Sequence, residues 1–348
     1  MNPAQRTRPE GLARLADLSA RIGADPLLIQ AAGGNTSIKD GDVMWIKASG
    51  TLLADALDRD VFVACDLPGM RAALAEGAAR ADQPAEFALD KDGLRPSIET
   101  SLHAVFPQAV VVHVHCVNTI ALAICADAEQ ALARRLSAFD WAFVPYVKPG
   151  AQLAALVRQT RGPKTDVIVL GNHGLIVAAD TVEAVEELLL AVVAALRADP
   201  LTQPPIDTAK LAARAGDGFE PLPVGHPLHI VAQVPQLCEL ATAGSLYPDH
   251  VIFCGPGAAT LNAGEAPRQA VDRRLAEGFP PPVFLLVPET GALVRSDASS
   301  GARALVRCLG DVLSRLEKGA AVTHLTAEQD QELTNWDAEK YRQALNAG

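Results

Sequence analysis

Leucine and isoleucine recur at three- and four-residue steps from about Pro9 to Ile22 (Leu12, Leu15, Leu18, Ile22), the spacing of one buried helix face. QAAGGNTSIK then turns on two glycines into an alternating stretch, and VMWIKASG reads as the second strand of a hairpin that turns at KDGD. Residues 52–89 read as an irregular helix, strand and helix. LRPSIETSLHAVF opens another helix, with Pro96 and Ser97 as entry residues and Glu99 in the first turn. VVVHVHCV is a short β-branched strand, and a helix follows through Ala121–Leu136 with a break near Cys125–Asp127. FVPYV suits a short strand and KPGAQLAALVRQTR a helix. TDVIVLGNHGLIVAA is the clearest hairpin, with Gly-Asn-His-Gly between its strands, and Asp180 or Thr181 caps the long helix after it.

Beyond that helix the pattern changes. Residues 201–226 are rich in Pro, Gly and Asp and read as a linker between residues 1–200 and residues 227–348. In the last part, HVIFCG and PPVFLLVPE are strand-like, GALVRS is placed to pair with the second, and SSGARALVRCLGDVLSRLEKG is helical. LTAEQDQELTNWDAEKYRQAL begins with a capping box, Thr326 and Gln329. The fold class is α/β: a larger N-terminal unit and a smaller C-terminal α/β extension, with no internal repeat.

The 348 residues are 49% hydrophobic, enough for a sizeable core. A net charge of −11 repels phosphate backbones and anionic lipid, so nucleic acid and membrane surfaces are excluded as partners. Six cysteines without a CxxC pair read as free thiols of a reducing compartment. MNPAQRTRPE has no apolar signal region, and charged or histidine residues interrupt every apolar stretch, so the expected location is the cytoplasm.

Candidate chemistry begins at His113-Val114-His115. In a strand, residues two apart share a face, so two imidazoles can converge on one cation; a pair of core histidines is the alternative. His173, at a hairpin tip between glycines, can reach a neighbouring strand or can be an ordinary turn residue. Three neutral imidazoles with an open position form a recognised catalytic metal arrangement. Glu99 either complements its helix dipole or serves as a general acid/base; His103, four residues on, reads as packing rather than ligand. Gly33-Gly34-Asn35-Thr36-Ser37 and Ser49-Gly50-Thr51 can expose N–H and hydroxyl donors to an anion, or can simply be turns. Lys39 and Lys47 add charge there or are exposed strand lysines. No GxGxxG follows a predicted strand, which disfavours a nucleotide-linked oxidoreductase.

Taken in order, GGNTSIK, SGT, PSIETSLHA, HVH and LGNHGLIVA resemble the class II aldolase/adducin family across roughly residues 10–200. The spacing of PSIET to HVH, with VPYVKPG downstream, is most similar to the aldolase part of bifunctional rhamnulose-phosphate aldolase/dehydrogenase proteins. The resemblance implies an α/β/α catalytic domain with a mainly antiparallel central sheet, usually assembled as a homotetramer. It implies metal ligands at His113, His115 and His173, for Zn2+ or alternatively Mn2+, Co2+ or Mg2+. Glu99 matches the acid/base, whose pKa burial is expected to raise, and Tyr146 a tyrosine that protonates the aldehyde oxygen. Gly34, Asn35, Ser49, Gly50 and Ser97 match substrate-binding positions. The implied reaction cleaves a ketose phosphate, or a related sugar or sugar acid, to dihydroxyacetone phosphate and an aldehyde through a metal-stabilised enediolate. A decarboxylase, a 4-epimerase and a non-catalytic adducin-like binding module are the alternatives, and a Schiff-base aldolase using Lys148 is a weaker one. Ala32 and Ile98 depart from fuculose-phosphate-type enzymes, which carry hydroxyls there, so the anion pocket is altered.

Overall fold

The computed structural model describes residues 8–334. Two compact units divide the chain: one takes the residues up to Thr119 together with Glu129–Leu196, the other Ile120–Ala128 and the chain from Arg197 onward.

The first unit is built on a seven-stranded sheet of β1 (Asn35–Asp40), β2 (Val43–Lys47), β3 (Phe62–Asp66), β4 (Val110–Val114), β5 (Trp141–Val144), β6 (Val167–Leu170) and β7 (Gly174–Ala179). The spatial order is β3-β2-β1-β4-β7-β6-β5, antiparallel throughout except for the parallel pair β5/β6. Every position of β4 and β6 is buried, which is why both read as unbroken apolar runs.

Alternation along β1 shows the two faces. Thr36 Oγ1 meets Ser19 Oγ of the helix Gly11–Gly23 at 2.7 Å, while its neighbour Ser37 meets His103 of the helix Thr100–Ala104, also at 2.7 Å. The helices Gly11–Gly23 and Val182–Ala195 cover the first face. The helices Leu67–Glu76, Thr100–Ala104 and Ala151–Thr160 cover the second, closing a core that includes Met44, Ile46, Phe106, Val111 and Ile176. The α/β/α arrangement with a mainly antiparallel sheet is therefore present. Thr181, not Asp180, caps the helix Val182–Ala195, accepting from Ala184 N at 3.1 Å. The helical region after β4 is split into Val117–Ala123 and Ala128–Arg135, around the expected break.

The second unit holds a four-stranded sheet of β8 (Phe219–Pro221), β9 (Ala259–Thr260), β10 (Phe284–Val287) and β11 (Gly291–Arg295) in the order β8-β11-β10-β9. The β10/β11 pairing is the expected hairpin, and the helix Ser300–Leu313 starts at Ser299, whose hydroxyl accepts from Ala302 N. HVIFCG is not a strand: it lies in the helix Pro248–Cys254, entered through Pro248 and ended by Gly255 at φ 83°. All but Phe253 of that helix is buried, so its apolar run carries no period that separates helix from strand. The stretch read as a linker contains the helix Thr208–Ala212 and β8, the edge of the second sheet.

The Thr326/Gln329 capping box forms, Gln329 Oε1 accepting from Thr326 N at 2.8 Å and Thr326 Oγ1 from Gln329 N at 3.3 Å. The remainder of that segment past Thr334 lies outside the described residues. All six cysteines are free, four of them buried. No helix among the described residues is long and apolar enough to cross a membrane.

Candidate active site

Strand pairing assembles the three histidines. β4 lies between β1 and β7, with His113 opposite Asn35 on one side and Ile176 on the other. His115 sits just past the end of β4, two residues on and therefore on the same face as His113. His173 stands in the turn between β6 and β7, after Asn172 in the left-handed region at φ 53°. That turn presses against β4: a Cβ on Gly174 would come within 2.5 Å of Val114 O and 3.3 Å of the His113 ring. On the other strand the same economy operates at Gly34, at φ 61°, where a Cβ would lie 2.8 Å from His113 O.

All three imidazoles are buried, and their ring centroids are 4.9, 4.9 and 5.2 Å apart. One ligand nitrogen of each lies within 4.8 Å of the other two. His113 Nδ1 donates to Leu175 O at 3.0 Å, so the ring's lone pair is on Nε2. That nitrogen lies 3.1 Å from His115 Nε2 and 3.6 Å from a Glu99 oxygen. Buried nitrogens and a carboxylate gathered this way suit a divalent cation, so the residues fit a metal. No other group of three or more metal-ligating side chains is found among the described residues.

Glu99 is 5% exposed and precedes the first turn of the helix Thr100–Ala104, at the N-cap rather than inside the helix. Its carboxylate makes no capping bond and turns instead to the histidines. Oε2 accepts from Asn35 Nδ2 at 2.7 Å, and Oε1 lies 3.6 Å from His173 Nε2 with no hydrogen-bond partner. Burial is the largest influence on its pKa and acts upward. The fields of His113, His173 and His115, with the Asn35 bond, outweigh it and hold the group down at about 2. The expectation of a burial-raised pKa is therefore reversed; a divalent cation among the histidines acts in the same downward direction.

Ser97 anchors this corner, its Oγ accepting from Glu99 N and from Asn35 Nδ2, each at 3.2 Å. An antiparallel bridge, Ala48 to Pro96, sets the Ser97 segment against the end of β2. Ser49 N donates to Arg95 O at 2.9 Å, so Ser49 and Gly50 (φ 76°) lie alongside that segment. Tyr146 follows β5 and is half-buried; a Cβ on Gly171 would lie 3.0 Å from Tyr146 N, which puts this backbone against the turn that carries His173.

Lys47 differs from the exposed-lysine reading. It is 2% exposed, and its Nζ donates to Ala32 O at 2.9 Å and Gly34 O at 3.2 Å, tying the glycine turn to β2. The signal is its position at the end of Met44-Trp45-Ile46, a strand buried on both faces. His103 packs against Ser37, as read. Outside this site, His229 and His250 are also buried. His229 Nδ1 accepts from Ala292 N at 3.0 Å, and its Nε2 donates to Pro223 O at 3.1 Å.

The family profile described as Class II Aldolase and Adducin N-terminal domain matches residues 13–198. The uncharacterized oxidoreductase YuxG of Bacillus subtilis (strain 168) is 28% identical over 200 residues, 53% of this chain, which in turn spans only 29% of that relative's length. Among solved structures, the N-terminal class II aldolase domain of a conserved protein from Thermoplasma acidophilum is 26% identical, covering 55% of this chain and 94% of its own at a TM-score of 0.49. L-fuculose-1-phosphate aldolase from Thermus thermophilus is 18% identical, covering 53% and 92% at a TM-score of 0.35.

Proposed function

Because the chain belongs to the class II aldolase and adducin family, we propose that it is a metal-dependent aldehyde-lyase cleaving a ketose phosphate to dihydroxyacetone phosphate and an aldehyde. The observation that carries this reading is the convergence of three buried imidazoles on a carboxylate that has one oxygen bonded and one open. Zinc is the metal we assign to His113, His115 and His173. When bound, it supplies a Lewis acid for a carbonyl oxygen and its neighbouring hydroxyl.

Glu99 starts ionised at neutral pH, so its first act is that of a base. Its open Oε1 takes the proton of the substrate hydroxyl whose oxygen becomes the aldehyde as the adjacent C–C bond breaks, and then returns that proton to the carbon left with the electron pair. Asn35 holds Oε2 and fixes the direction in which Oε1 points. Gly34, Ser97, Ser49 and Gly50 hold the anionic end of the substrate, with Asn35, whose amide hydrogens go to Glu99 and Ser97, fixing the Ser97 hydroxyl beside them. Tyr146 is assigned to the aldehyde oxygen.

The spacing of PSIET, HVH and VPYVKPG supports an aldolase of the rhamnulose-phosphate kind. We take residues 1–200 as the catalytic domain and residues 227–348 as an extension, in a homotetramer. Decarboxylation or 4-epimerisation needs the same residues, and Ala32 and Ile98, which offer no hydroxyl to a phosphate, keep both in view.

The test is elemental analysis of the purified protein beside His113→Ala and Glu99→Gln, then incubation with ketose phosphates. Expected are about one ion per chain, its loss in His113→Ala, and its retention without turnover in Glu99→Gln. Carbon dioxide or an epimer in place of an aldehyde would replace the reaction but keep the site. No ion even after zinc or manganese is added would move the chain to an adducin-like binding role.

A further inference from the structure

A second concentration of charge lies on the same face of the sheet, at the other end of β1. Asn35, Ser37 and Lys39 alternate along that face, and Lys39 is four residues from Asn35, roughly 13 Å along the strand. Lys39 Nζ donates to Gln108 O at 2.8 Å. Arg71, from the helix Leu67–Glu76, donates to Ala104 O at 2.8 Å and Phe106 O at 3.0 Å. Arg161 stands with its guanidinium 5.9 Å from the Phe106 ring. Arg71 and Arg158 both line a surface pocket of about 410 Å³ whose other walls are Leu74, Ala104, Val105 and Pro107.

None of these four cations forms an ion pair among the described residues. The chain carries 41 acidic and 30 basic residues, so carboxylates are plentiful and their absence here is specific to the place. Lys39 and Arg71 are held by main-chain carbonyls, which fix a cation without cancelling its charge. Burial, and after it the fields of Arg71 and Arg161, push the Lys39 pKa down to about 7. Two arginines, one of them already fixed in place, offer the fork geometry that phosphate and carboxylate oxygens accept.

We propose that the pocket between Arg71 and Arg158, with Arg161 and Lys39 nearby, binds a small phosphorylated or carboxylated molecule as a second anion site, separate from the substrate pocket. Its apolar walls accommodate a short organic body beside the anionic group. None of the residues assigned to the anionic end of the substrate lines this pocket, so the ligand is an effector or a second substrate group. Ser37 and His103 lie between the two sites on the same face, the pair in contact at 2.7 Å.

Calorimetric titration of the full chain with inorganic phosphate tests this at constant ionic strength. The expected result is a binding event that survives Asn35→Ala and weakens by at least about tenfold in Arg71→Gln and in Arg158→Gln. Arg71 also holds two carbonyls, so Arg158→Gln, which removes no hydrogen bond among the described residues, decides the matter if Arg71→Gln fails to fold. Phosphate binding that vanishes in Asn35→Ala and is unchanged in Arg158→Gln overturns the site. So does an oligomer that Arg158→Glu dissociates while phosphate binding stays the same, because the cluster then serves the carboxylates of a second copy. Retention in Asn35→Ala with loss in Arg158→Gln supports the site whatever becomes of the aldolase reading.

Discussion

Asn35 donates to Glu99 from the strand position directly opposite His113, so one amide ties the Glu99 carboxylate to the pairing of β1 with β4. Replacing it by alanine frees the carboxylate to rotate while leaving the metal ligands in place. We expect Asn35→Ala to keep its metal and lose roughly 10–100-fold in kcat, the usual scale for losing a partner that orients an active-site group. Asn35→Asp should be worse, since two carboxylates would then share the corner. Steady-state kinetics on metal-loaded protein checks this; unchanged kcat in both variants would remove Asn35 from the mechanism.

Gly174 is the second point of leverage. An added Cβ meets a backbone carbonyl, Val114 O, which cannot swing aside as a flexible side chain would. Gly174→Ala should push the turn off β4 and carry His173 with it. The expected outcome is metal affinity lower by at least about tenfold together with a lower Tm. Metal competition against a chromogenic chelator measures the first. A variant with wild-type affinity would show that the close approach does not position the ligand.

Lys47 places an ammonium group against two carbonyls of the glycine turn. Lys47→Met leaves Ala32 O and Gly34 O without that donor, at a cost of about 1–3 kcal/mol in stability. The looser turn should raise KM for an anionic substrate more than it lowers kcat. Denaturant titration and kinetics together separate the two effects, and an unchanged KM would assign Lys47 to stability alone.

Acid sensitivity follows from the second unit. Burial lowers the pKa of His250 from 6.5 to about 4; in His226 burial does the same, aided by His229 and Arg307. Between pH 4 and 6.5 the unfolded chain binds protons at these rings that the folded chain does not. Their contribution to stability is complete above pH 6.5 and is lost as pH falls towards 4, by roughly 3 kcal/mol for the fully buried His250. Denaturant melts at pH 7, 5.5 and 4.5 should show the decline, and His250→Gln should flatten it. An equally steep decline in that variant would place the sensitivity elsewhere.

The histidine site was legible because strand and turn carry strong local signals. Two residues apart on a β-branched run means one face, and a histidine between glycines means a tight tip. The place of Glu99 beside the histidines was legible but not its ionisation, because burial and neighbouring charge oppose each other and only the assembled fold weighs them. Lys47 and the Arg71/Arg158 pocket depend on residues brought together from distant segments, which no local pattern reports. The helix Pro248–Cys254 was misread because a short run buried on nearly every side has lost the period that tells helix from strand.

The pairing of β4 with β7 also sets an order of events during synthesis. His113 and His115 leave the ribosome about sixty residues before His173, and the turn bearing His173 is held against β4 only through pairs that run to Ala179. A nascent chain therefore carries a two-histidine half-site for several seconds, too few ligands to retain an ion firmly. Firm metal capture therefore waits for the pairing of β4 with β7, and a full complement of ion in purified protein reports that this non-local strand pairing has been completed.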